Sequence, residues 1–161
     1  MRMIPTAFSS IAIALIMATA NGPTQARAKD EAVTIDDIQV RLFKEISGTL
    51  SKNVAPPTAP ALWNTIIGEG DAEEPANDFL ISVFLSGPAG KLIKQPLVVT
   101  VTRTGQKTAI AKRRFESLLF GSSGKATKPV FVTNATCAPV TIAASTGSTQ
   151  KSANIDFRCG E

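Results

Sequence analysis

Residues 79–102 read FLISVFLSGPAGKLIKQPLVVTVT and contain two apolar runs with a turn signal between them. In the first run every second residue is large and apolar, namely Phe79, Ile81, Val83 and Leu85. The second run repeats this period at Leu97, Val99 and Val101. A period of two is typical of β-strands with one buried face, and Gly87-Pro88 is typical of a turn. The stretch therefore predicts two strands joined by a short loop.

The same period continues on both sides of this stretch. Upstream, Ile38, Val40 and Leu42 alternate with polar residues. Downstream, the pattern predicts strands at 107–115, 130–134, 140–144 and 153–159, separated by turns that include a Gly/Ser/Thr-rich one at 145–151. The one helical candidate of this region, 61–67, ends at Gly68 after about two turns. We therefore expect an all-β fold, an antiparallel β-sandwich of about seven strands with an immunoglobulin-like architecture.

The first 28 residues are typical of a secretory signal peptide. Arg2 precedes an apolar run at 11–18 that is too short to span a bilayer, and Ala26-Arg27-Ala28 matches a small-x-small cleavage site. We expect removal of residues 1–28, with a cut near 17–20 as the alternative, and a single domain at 29–161 of 161 − 28 = 133 residues. The processed protein is then expected to be soluble, periplasmic or secreted, and to have no integral membrane segment.

The charge of the chain gives little reason to expect a nucleic-acid partner. Without Arg2 and Arg27, the 17 basic residues become 15 against 13 acidic ones, so the net charge falls from +4 to +2. The one basic run is Lys112-Arg113-Arg114, and in a strand only two of its three side chains share a face. The sequence has one Trp and no Tyr to stack on bases. We expect no nucleic-acid binding and interpret the run as solvated or as protecting an edge strand from unwanted pairing.

The two cysteines, Cys137 and Cys159, predict a structural disulfide in an oxidising compartment. Their spacing is not that of a redox-active Cys-x-x-Cys pair. Since metal sites usually need three or more ligands and the chain has no histidine, neither a metal nor a cofactor is predicted.

The register of the last two predicted strands limits how this disulfide can form. The apolar residues are even-numbered in one strand and odd-numbered in the other, so they share one face only if an even position pairs with an odd one, as in Ile142 with Ile155. Cys137 and Cys159 are both odd-numbered and cannot lie directly opposite each other in that register. We expect Pro139 to interrupt the ladder and Cys137 to reach the end of the last strand from the preceding turn. A disulfide between the two sheets, as in antibody domains, is the alternative.

The connection at 55–78 is long for a small sandwich, which makes it the best candidate for a binding site. The candidate binding residues are Trp63, Glu69, Asp71, Glu73, Glu74 and Asp78. In one interpretation this region closes an open end of the sandwich as a hydrophobic lid made of Leu62, Trp63, Ile66 and Ile67, and the acidic run is a solvated loop. In the other, Trp63 is an exposed anchor for a partner. A calcium loop is disfavoured because the acidic residues lack the Asp-x-Asp-x-Asp-Gly order and Pro75 interrupts them.

The sequence contains no recognisable enzyme motif. It has no histidine for a catalytic triad, and its Gly121-Ser122-Ser123-Gly124 segment lacks the Gly-x-Ser-x-Gly spacing of a nucleophile elbow. We expect an exported, non-catalytic binding or accessory module whose partner is another exported protein or a cell-envelope component. The alternatives are a subunit of a surface or pilus-like assembly, a small secreted enzyme inhibitor, and a hydrolase that uses Lys and Ser.

Overall fold

The computed structural model describes residues 32–69 and 72–160. The predicted signal peptide and the candidate residue Asp71 lie outside the described residues. The strands are β1 (Thr34–Phe43), β2 (Leu62–Trp63), β3 (Asp78–Ser86), β4 (Leu92–Ile93), β5 (Leu97–Arg103), β6 (Ala109–Phe115), β7 (Leu118–Leu119), β8 (Lys125–Val132), β9 (Val140–Thr146), β10 (Thr149–Ile155) and β11 (Phe157–Arg158). A 3₁₀ turn spans Thr65–Ile67. No helix within these residues is long and apolar enough to cross a membrane.

Two antiparallel sheets form the body of the domain. One has three strands in the order β1-β3-β8, and the other has four in the order β10-β9-β5-β6. Seven of the described strands have seven or more residues, and all seven belong to these two sheets. The prediction of an all-β sandwich of about seven strands is therefore confirmed.

The alternating apolar residues of both sheets pack into one core. The residues Phe79, Ile81, Val83 and Leu85 of β3 are fully buried, as are Leu97, Val99 and Val101 of β5. In the three-stranded sheet Ile81 lies between Val40 of β1 and Val130 of β8. Because paired residues point to the same face, the alternation of one strand is repeated in its neighbours and produces a continuous apolar layer.

Several strand boundaries differ from the prediction, most clearly in β8 and around the turn between β9 and β10. The strand β8 begins at Lys125 instead of 130, because the half-buried positions of its first part are occupied by Ala126 and Lys128, which give no large apolar signal. The turn expected at 145–151 is a two-residue connection, with Thr146 paired directly to Thr149. Gly147 has a φ of 54°, a conformation that glycine adopts without steric cost and that tight hairpins require.

The register at the end of the sandwich has the predicted parity. Ile142 pairs with Ala153 instead of Ile155, so the sum is odd but the register is shifted by two. The strand β9 begins only at Val140, after Pro139, and Cys137 lies in the preceding turn. From there Cys137 is bonded to Cys159, with a Cα–Cα distance of 5.1 Å. The predicted disulfide and its route around Pro139 are confirmed.

Candidate binding site

The 44–77 connection between β1 and β3 packs on the core, but of the predicted lid residues only Leu62 is buried. The side chains that it buries are small or medium in size: Leu62, Thr65, Ala72 and Ala76. Beneath them Phe157 of β11 stacks on Phe79 of β3, with ring centroids 5.7 Å apart. A lid on the core therefore exists, and it is built mainly of short side chains.

Trp63 is not part of this lid. Its exposure is 49%, and the following apolar residues Ile66 and Ile67 are 39% and 61% exposed. The reason is the pairing of β2 with β11, which is parallel and places Leu62 beside Phe157 and Trp63 beside Arg158. Because successive residues of a strand point to opposite sides, Leu62 takes the inward position and Trp63 turns outward. The interpretation of Trp63 as a core residue is corrected accordingly.

The backbone around Trp63 is held by hydrogen bonds on both sides. The amide of Leu62 donates to the carbonyl of Asp156 at 2.9 Å, and the amide of Asn64 donates to the carbonyl of Arg158 at 2.8 Å. The guanidinium of Arg158 lies over the indole ring, 5.4 Å from its centroid. The ring is therefore fixed on one face by a cation, a favourable interaction of about 0.5–1 kcal/mol at exposed sites.

Arg158 is positioned in turn by Asp156, whose carboxylate accepts from its guanidinium at 2.7 Å. This hydrogen bond lowers the pKa of Asp156 and raises that of Arg158. Asp156 and Arg158 lie two residues apart, on either side of Phe157, and their pairing keeps the guanidinium in place over the ring. The sequence analysis missed Arg158, because only the parallel pairing of two very short strands brings it to Trp63.

Asn64 fixes the turn that follows Trp63. Its φ of 49° lies in the left-handed region, where asparagine is among the most tolerated non-glycine residues. Its side-chain amide donates to Glu69 at 2.6 Å, and its side-chain carbonyl accepts from the amide of Gly160 at 2.7 Å. A Cβ on Gly68, where φ is 83°, would lie 2.8 Å from the backbone carbon of Glu74. Asn64 and Gly68 thus lock the exposed turn against the loop that follows it.

The predicted acidic residues do not converge on one point. Glu73 accepts from Lys44 at 2.7 Å, and Glu74 accepts from the amide of Ser47 at 2.8 Å. Glu69 accepts from Asn64 and Asp78 from the amide of Asn134, so each described carboxylate has a separate partner. The hydrogen bond to Lys44 lowers the pKa of Glu73, and the same bond raises the pKa of Lys44. Among residues 32–69 and 72–160, no group of three or more His, Cys, Asp or Glu residues could hold a metal ion.

A groove of about 530 Å³ lies beside this region. The Lys44–Glu73 pair forms part of its wall, and most of the remainder comes from residues between 50 and 60, with Leu62 included. Its size is within the range of small-molecule sites. Two of its polar side chains, Ser51 and Asn53, already accept hydrogen bonds from backbone amides of β1. The groove therefore offers mainly proline and aliphatic surface together with the amino groups of Lys44 and Lys52.

Comparison with models of known protein families and with characterised proteins gave no match for this chain.

Proposed function

We propose that this protein is an exported, non-catalytic binding module that recognises a protein partner through the Trp63 surface, which consists of Trp63, Ile66 and Ile67. The observation that supports the proposal is that the only tryptophan of the chain is half exposed on a backbone that is hydrogen-bonded on both sides. Large exposed aromatic residues contribute disproportionately to protein interfaces. An anchor that is already held in place loses little conformational freedom on binding.

The energetic cost of this arrangement supports a role in recognition. Leaving three neighbouring large apolar side chains between 39% and 61% exposed forgoes part of the stabilisation that their burial would give. Isolated apolar residues on a surface are common, whereas contiguous ones often mark interaction sites. The Arg158 guanidinium and the Glu69 carboxylate adjoin this surface and would form the polar rim expected around an interface core.

The export and architecture that we propose have their own support. A disulfide is typical of oxidising compartments and rare in the cytosol, which favours a periplasmic or secreted location. The division into a three-stranded and a four-stranded sheet is compatible with the immunoglobulin-like architecture expected from the sequence. The partner would then be another exported protein or a cell-envelope component. A small secreted enzyme inhibitor is the second candidate, favoured by the fixed conformation of the exposed turn.

The proposal is tested by affinity capture from a cell-envelope extract of the source cells, with the purified protein and its Trp63→Ala variant as parallel baits. We expect a partner to be retained by the unaltered protein and lost with Trp63→Ala. Phe131→Ala is the matched control, because Phe131 is a 50% exposed aromatic residue that lies on β8, outside the Trp63 surface. Equal retention by all three baits would contradict the proposal. If the captured partner is an enzyme whose activity the protein lowers, the inhibitor alternative applies.

A further inference from the structure

The outer edges of the two sheets differ in how far they are covered. On β1, the amides of Val40 and Leu42 donate to the side chains of Asn53 and Ser51, each at 2.9 Å. The carbonyls of the same two residues accept from the amides of Val54 and Ser51 at 2.8 and 2.9 Å. The segment that follows β1 therefore folds back and satisfies the backbone groups that an added strand would need.

Two of the other three edges are also obstructed. The strand β10 lies against the start of β1, where Thr149 donates to the carbonyl of Val33 and Lys151 to the carbonyl of Asp36. The strand β8 has Pro129 in its middle, which has no amide to donate. Only β6, within the part of the chain that the structure describes, has an outer edge without a covering segment, a bonded side chain or a proline.

The part of the chain that contains β6 is strongly basic. Residues 79–155 include ten Lys and Arg residues and one acidic residue, Glu116. On β6 itself, Lys112, Arg113 and Arg114 are all exposed. The side chains of Arg113 and Lys128 share the ring of Phe115, at 5.7 and 5.4 Å from its centroid. Several positive charges lie close together here and repel one another. An anionic group that binds among them offsets this repulsion, so it is stabilised more than it would be beside an isolated lysine.

We propose that the outer edge of β6 binds an extended acidic segment of a partner protein by strand addition. An added strand would form main-chain hydrogen bonds with β6, and its side chains would alternate between the two faces of the sheet. Lys112 and Arg114 share the outer face, since they pair with Thr100 and Val98 of β5. Their Cα atoms are about 6.8 Å apart along the strand, so acidic residues at every second position of the added segment would match them.

The existing contacts of these residues leave them available. Arg114 is paired with Glu116 at 2.8 Å, but both side chains are well exposed, and exposed pairs contribute little. Lys112 has no ion pair with any described residue. The positive charges of β6 repel the same edge of a second copy of the protein. They would attract a strand of opposite charge, so the same residues disfavour self-pairing and favour an acidic partner.

The test uses the purified protein and a synthetic peptide of the length of β6, in which glutamate alternates with threonine and valine. Amide hydrogen exchange measured by NMR should show new protection at residues of β6 that exchange freely without the peptide. The double variant Lys112→Gln/Arg114→Gln should weaken binding about tenfold, as expected for losing two cross-strand charge pairs. A peptide with glutamine in place of glutamate should lose a similar factor, which checks the result without altering the protein.

Arg41→Gln/Lys52→Gln is the matched control, because it removes the same charge from one exposed arginine and one exposed lysine on and beside β1, which belongs to the other sheet. It should change the peptide affinity less than about twofold, since exposed charges more than about 8 Å from a site are largely screened. Peptide binding without new protection in β6, or equal loss in both double variants, would overturn the proposal. Preferential binding of inorganic polyphosphate, with the β6 amides still exchanging freely, would also overturn it and assign the surface to phosphate polymers.

Discussion

Trp63 owes its position to its neighbour. Leu62 is the residue of β2 that reaches the core, and the backbone hydrogen bonds to Asp156 and Arg158 leave Trp63 no alternative direction. Its ring then rests on Arg158 instead of on apolar side chains. The exposure of this residue is therefore determined by main-chain pairing and not by a failure of the core to accommodate it.

Replacing Trp63 should affect stability much less than replacing a core aromatic. We expect Trp63→Ala to lower the free energy of unfolding by less than about 1 kcal/mol, the range of most surface substitutions and of one exposed cation–π contact. Phe157→Ala, at a fully buried position, should cost about 3–5 kcal/mol. Urea unfolding of both variants checks the difference, and acrylamide should quench Trp63 fluorescence efficiently in the unaltered protein. A loss of several kcal/mol with Trp63→Ala would restore the lid interpretation.

The Asp156–Arg158 pair makes the environment of Trp63 sensitive to acid. Since the hydrogen bond to Arg158 lowers the pKa of Asp156, the pair is complete above the ordinary aspartate pKa and is lost as the pH falls through the lowered value. Trp63 fluorescence should therefore be constant from neutral pH down to about 4 and change below it. Asp156→Asn should abolish this transition while global unfolding remains. A transition at the same pH in that variant would show that another group controls the ring.

At the scale of elements, the covered edge of β1 depends on two short side chains. Asn53→Ala would leave the buried amide of Val40 without its acceptor, and Ser51→Ala would do the same to Leu42. We expect each substitution to cost about 1–3 kcal/mol, the usual penalty for an unsatisfied buried donor. Lys52→Ala, at the exposed position between them, is the control and should stay within about 0.5 kcal/mol. Denaturant unfolding measures all three, and equal effects would show that the cover acts through the backbone alone.

The disulfide stabilises the element that carries Arg158. It closes a loop with a sequence separation of 22, and its second cysteine directly follows β11. Replacing both cysteines by alanine should lower stability by about 2–4 kcal/mol. Because β11 holds β2, the same variant should also expose Trp63 further and increase its quenching by acrylamide at temperatures below unfolding. Unchanged quenching would show that hydrogen bonds alone hold the pair of strands.

At the scale of the whole molecule, the sandwich could be predicted because its signal is local. The alternation of apolar residues in β3 and β5 can be seen within the seven to nine residues of each strand. It indicates directly that one face of the strand is buried. The strand β8 was only half recognised, since Lys125, Lys128 and Pro129 conceal its pattern. Pairing of β2 with β11 joins residues far apart in the chain, and two-residue strands have no period to detect.

The residues of the candidate site could be named from the sequence, but their arrangement could not. Its acidic residues suggested a common function, yet each described carboxylate has its own partner at a different point of the loop. Those partners, such as Lys44 and Asn134, belong to segments that only the folded chain brings close. Trp63 was recognised from its uniqueness in the sequence, whereas its outward direction depends on which residue of a two-residue strand faces the core.

The parallel pairing of β2 with β11 also has a consequence for the order of events during synthesis. Thr149 reaches Val33 across a separation of 116 residues, and Trp63 acquires its hydrogen-bonded frame only from residues 156–160. A nascent chain that still lacks these residues contains Trp63 but not the backbone partners of Leu62 and Asn64 that fix its direction. Contacts so distant in sequence slow folding, because the long loop between them has to be closed first. Trp63 therefore takes its fixed outward position only after residues 156–160 have been made.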